Sequence, residues 1–245
     1  MIYLAHTAHW QFLGLLSGVL AWLFIMVTSG INEWRLWYVE DATVITSGVA
    51  WVGIWRACFY SHVLPDTENC QSISISDSFL PPEIPLAQVL MMLAVISGLV
   101  GNISAALAMR MAYFSVEDRR KMRTVFVLSG ALYLITAVFS LVPLVWNMTS
   151  VLKNNTIDFP VEFNLPAAPI RQSVGAAIAV GIMASILLII SGVIFLCYRS
   201  SSQPLKQTAD PLNGPWTETT LQKKAERPNA QSQGMDNQGF HREEN

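Results

Sequence analysis

The chain has 245 residues, of which 52% are hydrophobic and only 13% are charged. Soluble globular domains carry about 25% charged residues, so this composition, together with a mean hydropathy of +0.40, indicates a membrane protein. The formal net charge of −2 supplies no basic face for nucleic acid, and the high apolar content excludes disorder of the whole chain.

Four long stretches of the sequence lack Asp, Glu, Lys, Arg and His. Each has about the 20 residues that a helix needs to cross the hydrocarbon core of a bilayer. We therefore predict an integral membrane protein, an all-α bundle of four transmembrane helices at 12–31, 85–109, 124–146 and 173–198. The first stretch could instead be a cleaved signal peptide, but it lacks a basic leading region, and Trp22 stands where the small-residue cleavage site would lie.

The distribution of Lys and Arg predicts the orientation of these helices. Loop 110–123 holds five of them, whereas loop one (32–84) and loop two (147–172) together hold four. Because positively charged loops stay in the cytoplasm, we predict that loop 110–123 and both termini, 1–11 and 199–245, are cytoplasmic. Loops one and two are then extracellular. The polar C-terminal tail cannot bury a core and is predicted to be disordered.

Loop one is predicted to fold as a small antiparallel β-sheet. Segments 36–39, 43–46 and 49–52 are rich in β-branched and aromatic residues, which favour strands. Breaks at 47–48 and at Gly53 suit turns between them. We also predict a further strand from loop two, around residues 157–161, at the edge of this sheet.

Two cysteines of loop one, Cys58 and Cys70, lie in what would be an oxidising compartment, where a disulfide persists. Two free thiols or a metal pair are the alternatives, but no His or further Cys stands at ligand spacing. We predict a disulfide, with no metal and no cofactor. The sequence also has no Ser-His-Asp or Cys-His arrangement on one side of the membrane, so we expect no enzymatic activity.

The order of residues across loop one resembles the signature of the claudin family. The matching residues are Trp34, then Gly53, Ile54 and Trp55, then Cys58 and Cys70. Further matches in the first and third spans and in loop two extend the resemblance over roughly residues 10–198. Ile54 replaces the usual Leu of the family, and Gln88 stands where the family usually has an Arg. The chain therefore resembles a divergent claudin.

This resemblance implies a multi-pass plasma-membrane protein of the tight junction that mediates cell–cell adhesion. Its partners would be further copies or other claudins, both within one membrane (cis) and between facing cells (trans), besides the lipid bilayer. The assembly would form a paracellular barrier or an ion-selective path. An auxiliary subunit of a channel or receptor, or a non-junctional tetraspan organiser, are the alternatives. Asp158 and Phe159 of loop two, with Arg171, favour the claudin alternative and are the predicted contact residues.

Two features of the sequence bear on partners and on ions. Many claudins end in an apolar residue that a PDZ groove buries. This sequence ends in Glu244 and Asn245, so we do not expect PDZ scaffold binding.

Loop one has seven acidic residues against two arginines, which would favour cations if they line a narrow path. Ordinary solvation of a surface loop is the alternative. The candidate charges for selectivity are Asp66, Glu68, Glu40 and Asp41.

The sequence also contains candidate modification sites and polar residues within the predicted spans. Asn154 is the predicted glycosylation acceptor, because Asn147 lies nearly in the membrane and Asn102 within a span. Cys197, at the cytoplasmic end of the last span, is either a palmitoylation site or a small buried residue. Gln88 and Asn102 lie in a predicted span and are expected to hydrogen-bond across helices; a transport site is the alternative.

Overall fold

Four long helices form the membrane part of the protein. The computed structural model describes residues 2–39, 45, 48–61, 64–114, 119–163, 165 and 169–198. Within these ranges the helices are α1 (Ile2–Gly30), α2 (Glu83–Phe114), α3 (Arg119–Leu152) and α4 (Ala176–Leu196). Each contains an apolar stretch long enough to cross a membrane, which confirms the predicted four-helix fold class. The tail, for which disorder was predicted, lies outside the described residues.

The second and third helices are longer than the apolar stretches 85–109 and 124–146. The 34 residues of α3 give a length of about 51 Å, against about 30 Å for the hydrocarbon core. The predicted stretches end at the first charged residue, whereas the hydrogen bonds of a helix can continue beyond the hydrocarbon core. The outer end of α3, at Leu152, therefore extends past the apolar stretch and lies beside β5.

Small residues let the helices approach closely. A Cβ atom built on Gly130 of α3 would lie 2.9 Å from the Gly192 carbonyl oxygen of α4, and one built on Gly192 would lie 3.0 Å from that of Gly130. Nearby, the hydroxyl groups of Ser140 and Ser185 are 2.7 Å apart. In a bilayer this combination of small residues and interhelical hydrogen bonds drives helix association.

The strands outside the membrane form one antiparallel sheet in the order β4-β3-β2-β1-β5. Its strands are β1 (Arg35–Tyr38), β2 (Val49–Val52), β3 (Arg56–Ser61), β4 (Leu64–Ser72) and β5 (Arg171–Val174). β1 and β2 fall in predicted segments. Of the predicted segment 43–46, only Ile45 is described, and it forms a single bridge with Ser61.

The predicted strand of loop two is wrong in its position. Residues 157–160 have no regular structure, and a 3-10 helix follows at Val161–Phe163. Ile157 and Phe159 are buried and Asp158 is exposed, as in a strand with one buried face. However, the Phe159 amide donates to the Ile157 carbonyl in a tight turn, and proline at 160 has no N–H for a ladder. Loop two instead supplies β5, which pairs with β1.

The position of β5 also shortens the fourth helix. The apolar pattern predicted a span from residue 173, but residues 171–174 are strand and the helix begins at Ala176. The inner face of the sheet and loop two enclose a core of their own outside the membrane. This core includes Trp37, Phe59, Ile84, Phe159 and Phe163.

Candidate functional site

The β-sheet is fastened to the bundle by Trp34. Its side chain is only 1% exposed and packs against the helices. Its indole Nε1 donates a hydrogen bond to the Thr28 carbonyl oxygen at 2.9 Å. That carbonyl is in the last turn of α1, where no helical partner remains for it. Trp34 therefore completes the end of α1 and fixes the position at which the sheet begins, so it is a packing residue.

The second part of the signature forms the turn between β2 and β3. The Gly53 amide donates to the Arg56 carbonyl at 2.9 Å, and a Cβ on Gly53 would lie 2.8 Å from the Cα of Asn32. Only glycine fits this approach. Ile54 is buried in the helix core and Trp55 is half-buried against it. The turn therefore packs against the end of the helix bundle.

Gln88 of α2 holds this turn from below. Its Nε2 donates to the Ile54 carbonyl at 2.6 Å and to the Ile73 carbonyl at 3.2 Å, and its side chain is buried. The Ile73 amide in turn donates to the Trp55 carbonyl at 2.7 Å. Asn102 likewise makes an interhelical bond, since the Tyr133 hydroxyl donates to its Oδ1 at 2.8 Å. The predicted bond across helices is thus present for Asn102, whereas Gln88 bonds to loop one and not to another helix.

The disulfide joins the two strands at the far edge of the sheet. Cys58 of β3 and Cys70 of β4 are direct partners in the register and are bonded to each other, which confirms the predicted pair. Asn32 Nδ2 lies 3.3 Å from the Cys58 sulfur. The disulfide therefore connects the edge strand β4 to β3, and the Asn32 contact connects β3 to the segment that follows α1.

A buried ionic cluster beneath β1 was missed by the sequence analysis. Arg35 Nη2 donates to Glu83 Oε1 at 3.1 Å and to Asn147 Oδ1 at 2.8 Å. Arg35 and Glu83 are only 1% and 4% exposed. The Ser150 hydroxyl also donates to Glu83 Oε1 at 2.5 Å, and Asn147 Nδ2 donates to the Glu83 carbonyl at 3.2 Å. The cluster thus joins loop one, the start of α2 and the outer end of α3.

The electrostatics of this cluster follow from its burial. Burial lowers the pKa of the Arg35 guanidinium, and the neighbouring Glu83 carboxylate partly offsets that effect. A guanidinium nevertheless stays charged in proteins, so the cluster holds a permanent buried ion pair. Replacing either partner alone would leave an uncompensated charge.

The outer face of the sheet carries aromatic and charged side chains. Trp51 and Tyr60 pack edge to face at 5.5 Å, and the Arg171 guanidinium lies 4.9 Å from the centre of the Tyr38 ring. The Ser173 hydroxyl and Arg171 lower the pKa of the Tyr38 hydroxyl. Arg56 is exposed on the same face. Arg171 is therefore at the surface, as a contact residue must be.

The structure separates the four candidate acids of loop one. Glu68 is exposed and lies opposite Tyr60 in the register, on the outer face. Asp66 belongs to β4, but its side chain is not among those described. Glu40 and Asp41 lie outside the described residues. The Cys58 sulfur and a Glu68 carboxylate oxygen lie within 4.8 Å of each other, and the disulfide removes that sulfur as a metal ligand.

The three predicted contact residues of loop two and β5 are not equivalent. Asp158 is exposed. Phe159 is only 9% exposed and packs edge to face on Trp37, with ring centres 5.5 Å apart. The prediction of Phe159 as a contact residue needs correction, because its ring fills the core under the sheet. Of the three, Asp158 and Arg171 have exposed side chains, and their role in contact stays a prediction.

The predicted modification sites also have definite surroundings. Asn154 is exposed, and Asn147 is buried in the ionic cluster. Cys197 follows the last residue of α4 and is an exposed free cysteine. Its exposure is inconsistent with the alternative of a small buried residue, and its acylation stays a prediction.

The fold and this anchored sheet define a class: a four-helix membrane protein with an antiparallel β-sheet closed by one disulfide. The family model described as PMP-22/EMP/MP20/Claudin tight junction matches residues 19–197. The chain belongs to this family and is a divergent claudin. It is thus a multi-pass membrane protein of tight-junction type, from a family that is structural and not enzymatic.

Individual relatives agree with this assignment. Claudin-4 of Homo sapiens is 26% identical over 190 residues, which cover 76% of this chain and 85% of that protein. Claudin-3 of Canis lupus familiaris is 25% identical over 183 residues, covering 73% and 78%. Claudin-3 of Mus musculus is 26% identical over 183 residues, covering 73% and 77%.

Proposed function

We propose that this claudin joins facing cells through its extracellular sheet and loop two, and that its assemblies restrict or select the passage of ions between cells. It associates with further copies or with other claudins, both side by side in one membrane and across the intercellular gap. It catalyses no reaction. Both termini are cytoplasmic, in accord with the basic residues of loop 110–123.

The observation that carries this proposal is the contrast between the base of the extracellular unit and its surface. The base is fixed by buried contacts through Trp34, Gln88 and the Arg35–Glu83 pair. Among the described residues at this end of the molecule, four aliphatic side chains are more than half exposed: Val161 at 92%, Leu152 at 70%, Ile170 at 63% and Ile75 at 54%.

Leu152 ends α3, but the other three residues lie outside the long helices and so differ from the exposed apolar residues of the helices, which face lipid. Val161 lies in the 3-10 helix of loop two, and Ile170 and Ile75 precede β5 and α2. Without a protein partner, these side chains would be exposed to water. Apolar side chains held exposed on a rigid unit favour a contact with another protein, and the proposed adhesion supplies that contact.

The experiment compares borders between cells that lack tight-junction strands. We expect the tagged full chain to be enriched at borders where both cells express it, relative to borders where only one does. Val161→Ser should reduce this enrichment, because it removes apolar surface from the contact. Lys153→Ser, which changes an exposed but charged residue of the same loop, is the matched control and should retain it.

Other results would contradict the proposal. Equal signals at the two kinds of border would exclude contact between copies on facing cells. They would favour an auxiliary subunit that binds a protein in its own membrane, and crosslinking within one cell would then be the next step.

A further inference from the structure

The sequence contains three acceptor patterns for N-linked glycan, at Asn102, Asn147 and Asn154. The sugar is attached to the side-chain nitrogen Nδ2. A folded protein can therefore carry the glycan only where Nδ2 points to solvent and is not needed for a hydrogen bond. This criterion separates the three residues.

Two of the three residues fail it. Asn102 lies within α2, where its Nδ2 is buried and its Oδ1 accepts from Tyr133. Asn147 is 1% exposed, and its Nδ2 donates to the carbonyls of Glu83, at 3.2 Å, and Pro143, at 3.0 Å. A glycan on either residue would have to break the bundle or the ionic cluster.

Asn154 meets the criterion. It follows the end of α3 by two residues, and its φ of 55° turns the chain out of the helix, a conformation that asparagine tolerates well. Asn154 and Thr156, the two defining residues of the pattern, are both exposed. Among the described residues, no hydrogen bond to the Asn154 side chain is present, so its Nδ2 is free.

The neighbouring residue performs the structural role that Asn154 does not. Asn155 Nδ2 donates to the Ser150 hydroxyl at 3.1 Å, and the Asn155 carbonyl accepts from Gln172 Nε2 at 2.7 Å. Asn155 thereby ties the outer end of α3 to β5. The adjacent Asn154 projects without such a bond, and a large substituent on it disturbs none of these contacts.

We propose that Asn154 carries an N-linked glycan at the outer end of α3. The inference rests on the proposed orientation, which exposes loop two to the compartment where glycans are added. The donor is an oligosaccharide linked to a lipid diphosphate. A bond forms between Nδ2 and the anomeric carbon of the sugar, the bond from that carbon to the diphosphate oxygen breaks, Nδ2 gives up one proton, and the lipid diphosphate leaves with the electron pair.

The glycan would stand beside one of the exposed apolar residues. Leu152 is two positions earlier in the chain, at the last turn of α3. A hydrated oligosaccharide at this point covers part of the surface that contacts other claudins. It therefore limits which sides of the molecule are open to a partner.

The test is digestion of the tagged full chain, made in mammalian cells, with peptide-N-glycosidase, followed by gel electrophoresis. We expect digestion to increase the mobility of the wild type and of Thr156→Ser, and to leave Asn154→Gln and Thr156→Ala unchanged. Asn102→Gln is the matched control and should still respond. Absence of a response in the wild type, or a response retained by Asn154→Gln, would overturn the proposal.

A reporter in loop one separates this inference from the orientation on which it rests. Ser74 and Ser76 are exposed, and Ser74→Asn creates an Asn-Ile-Ser acceptor there. It is added to the Asn154→Gln variant. A response of the reporter without any response of the wild type would reject the glycan on Asn154 and keep the orientation. Absence of both responses would reject the orientation as well.

Discussion

Arg35 and Glu83 illustrate how a single buried pair can hold two parts of a protein together. Arg35 starts β1, Glu83 starts α2, and neither side chain reaches water. A buried ion pair adds little net stability when both partners are present, but removal of one partner leaves a charge without compensation. The stability lost when one partner is replaced therefore measures how completely the cluster is shielded from water.

We expect Glu83→Gln to lower the free energy of unfolding by about 3–5 kcal/mol. The substitution preserves the shape of the side chain but removes the charge that faces Arg35. Thermal unfolding of the full chain in detergent measures the effect. The exposed Lys153→Gln should stay within about 0.5 kcal/mol of the wild type. Equal stability of Glu83→Gln and the wild type would mean that water reaches Arg35.

Among the elements, the junction between β5 and α4 has the least space. A Cβ on Gly175 would lie 1.9 Å from the Glu33 carbonyl oxygen, whereas a Cβ on Gly30 has no heavy atom within 4 Å. The Gly175 amide also donates to the Trp34 carbonyl at 3.0 Å. The segment that leaves α1 and the segment that enters α4 are thus in direct backbone contact.

We expect Gly175→Ala to destabilise the protein by about 1–3 kcal/mol or more, because the methyl group has to displace backbone atoms. Gly30→Ala is the matched control, since it places the same methyl group in open space. The two variants are compared by thermal unfolding and by the yield of monodisperse protein. If Gly175→Ala matched Gly30→Ala, the contact between these segments would be looser than the structure has it.

Local patterns predicted the elements that depend on neighbouring residues. Apolar length indicated the four helices, and β-branched and aromatic residues indicated β1 and β2. The ionic cluster could not be found in this way, because Arg35 is 48 and 112 positions from Glu83 and Asn147. In the sequence these residues were loop charges and a glycosylation pattern. The position of the loop-two strand could not be found in this way either, because pairing with the distant β1 selects residues 171–174 and not 157–161.

For the whole molecule, the outer face of the sheet carries the charges that would act on ions in the proposed assemblies. The sequence indicated a preference for cations if the acids of loop one line a narrow path, with ordinary solvation as the alternative, but the structure places exposed residues of both signs on this face. Arg56 and Glu68 stand on β3 and β4, and Arg171 on β5. Glu83, which contributed to the acidic excess, is neutralised by Arg35 inside the protein. If ions pass this face, as proposed, their selection would depend on a balance of opposing charges at the surface.

This balance predicts opposite effects for two substitutions on one face. If the proposed assemblies conduct ions past the sheet, Glu68→Gln should lower the ratio of sodium to chloride permeability and Arg56→Gln should raise it, because each removes one local charge. Dilution potentials across epithelial monolayers that express each variant measure the ratio. Lys153→Gln, which lies at the end of α3 and off the sheet, controls for net charge alone. Changes in the same direction, or an equal change in the control, would place the ion path away from this face and assign its charges to solvation.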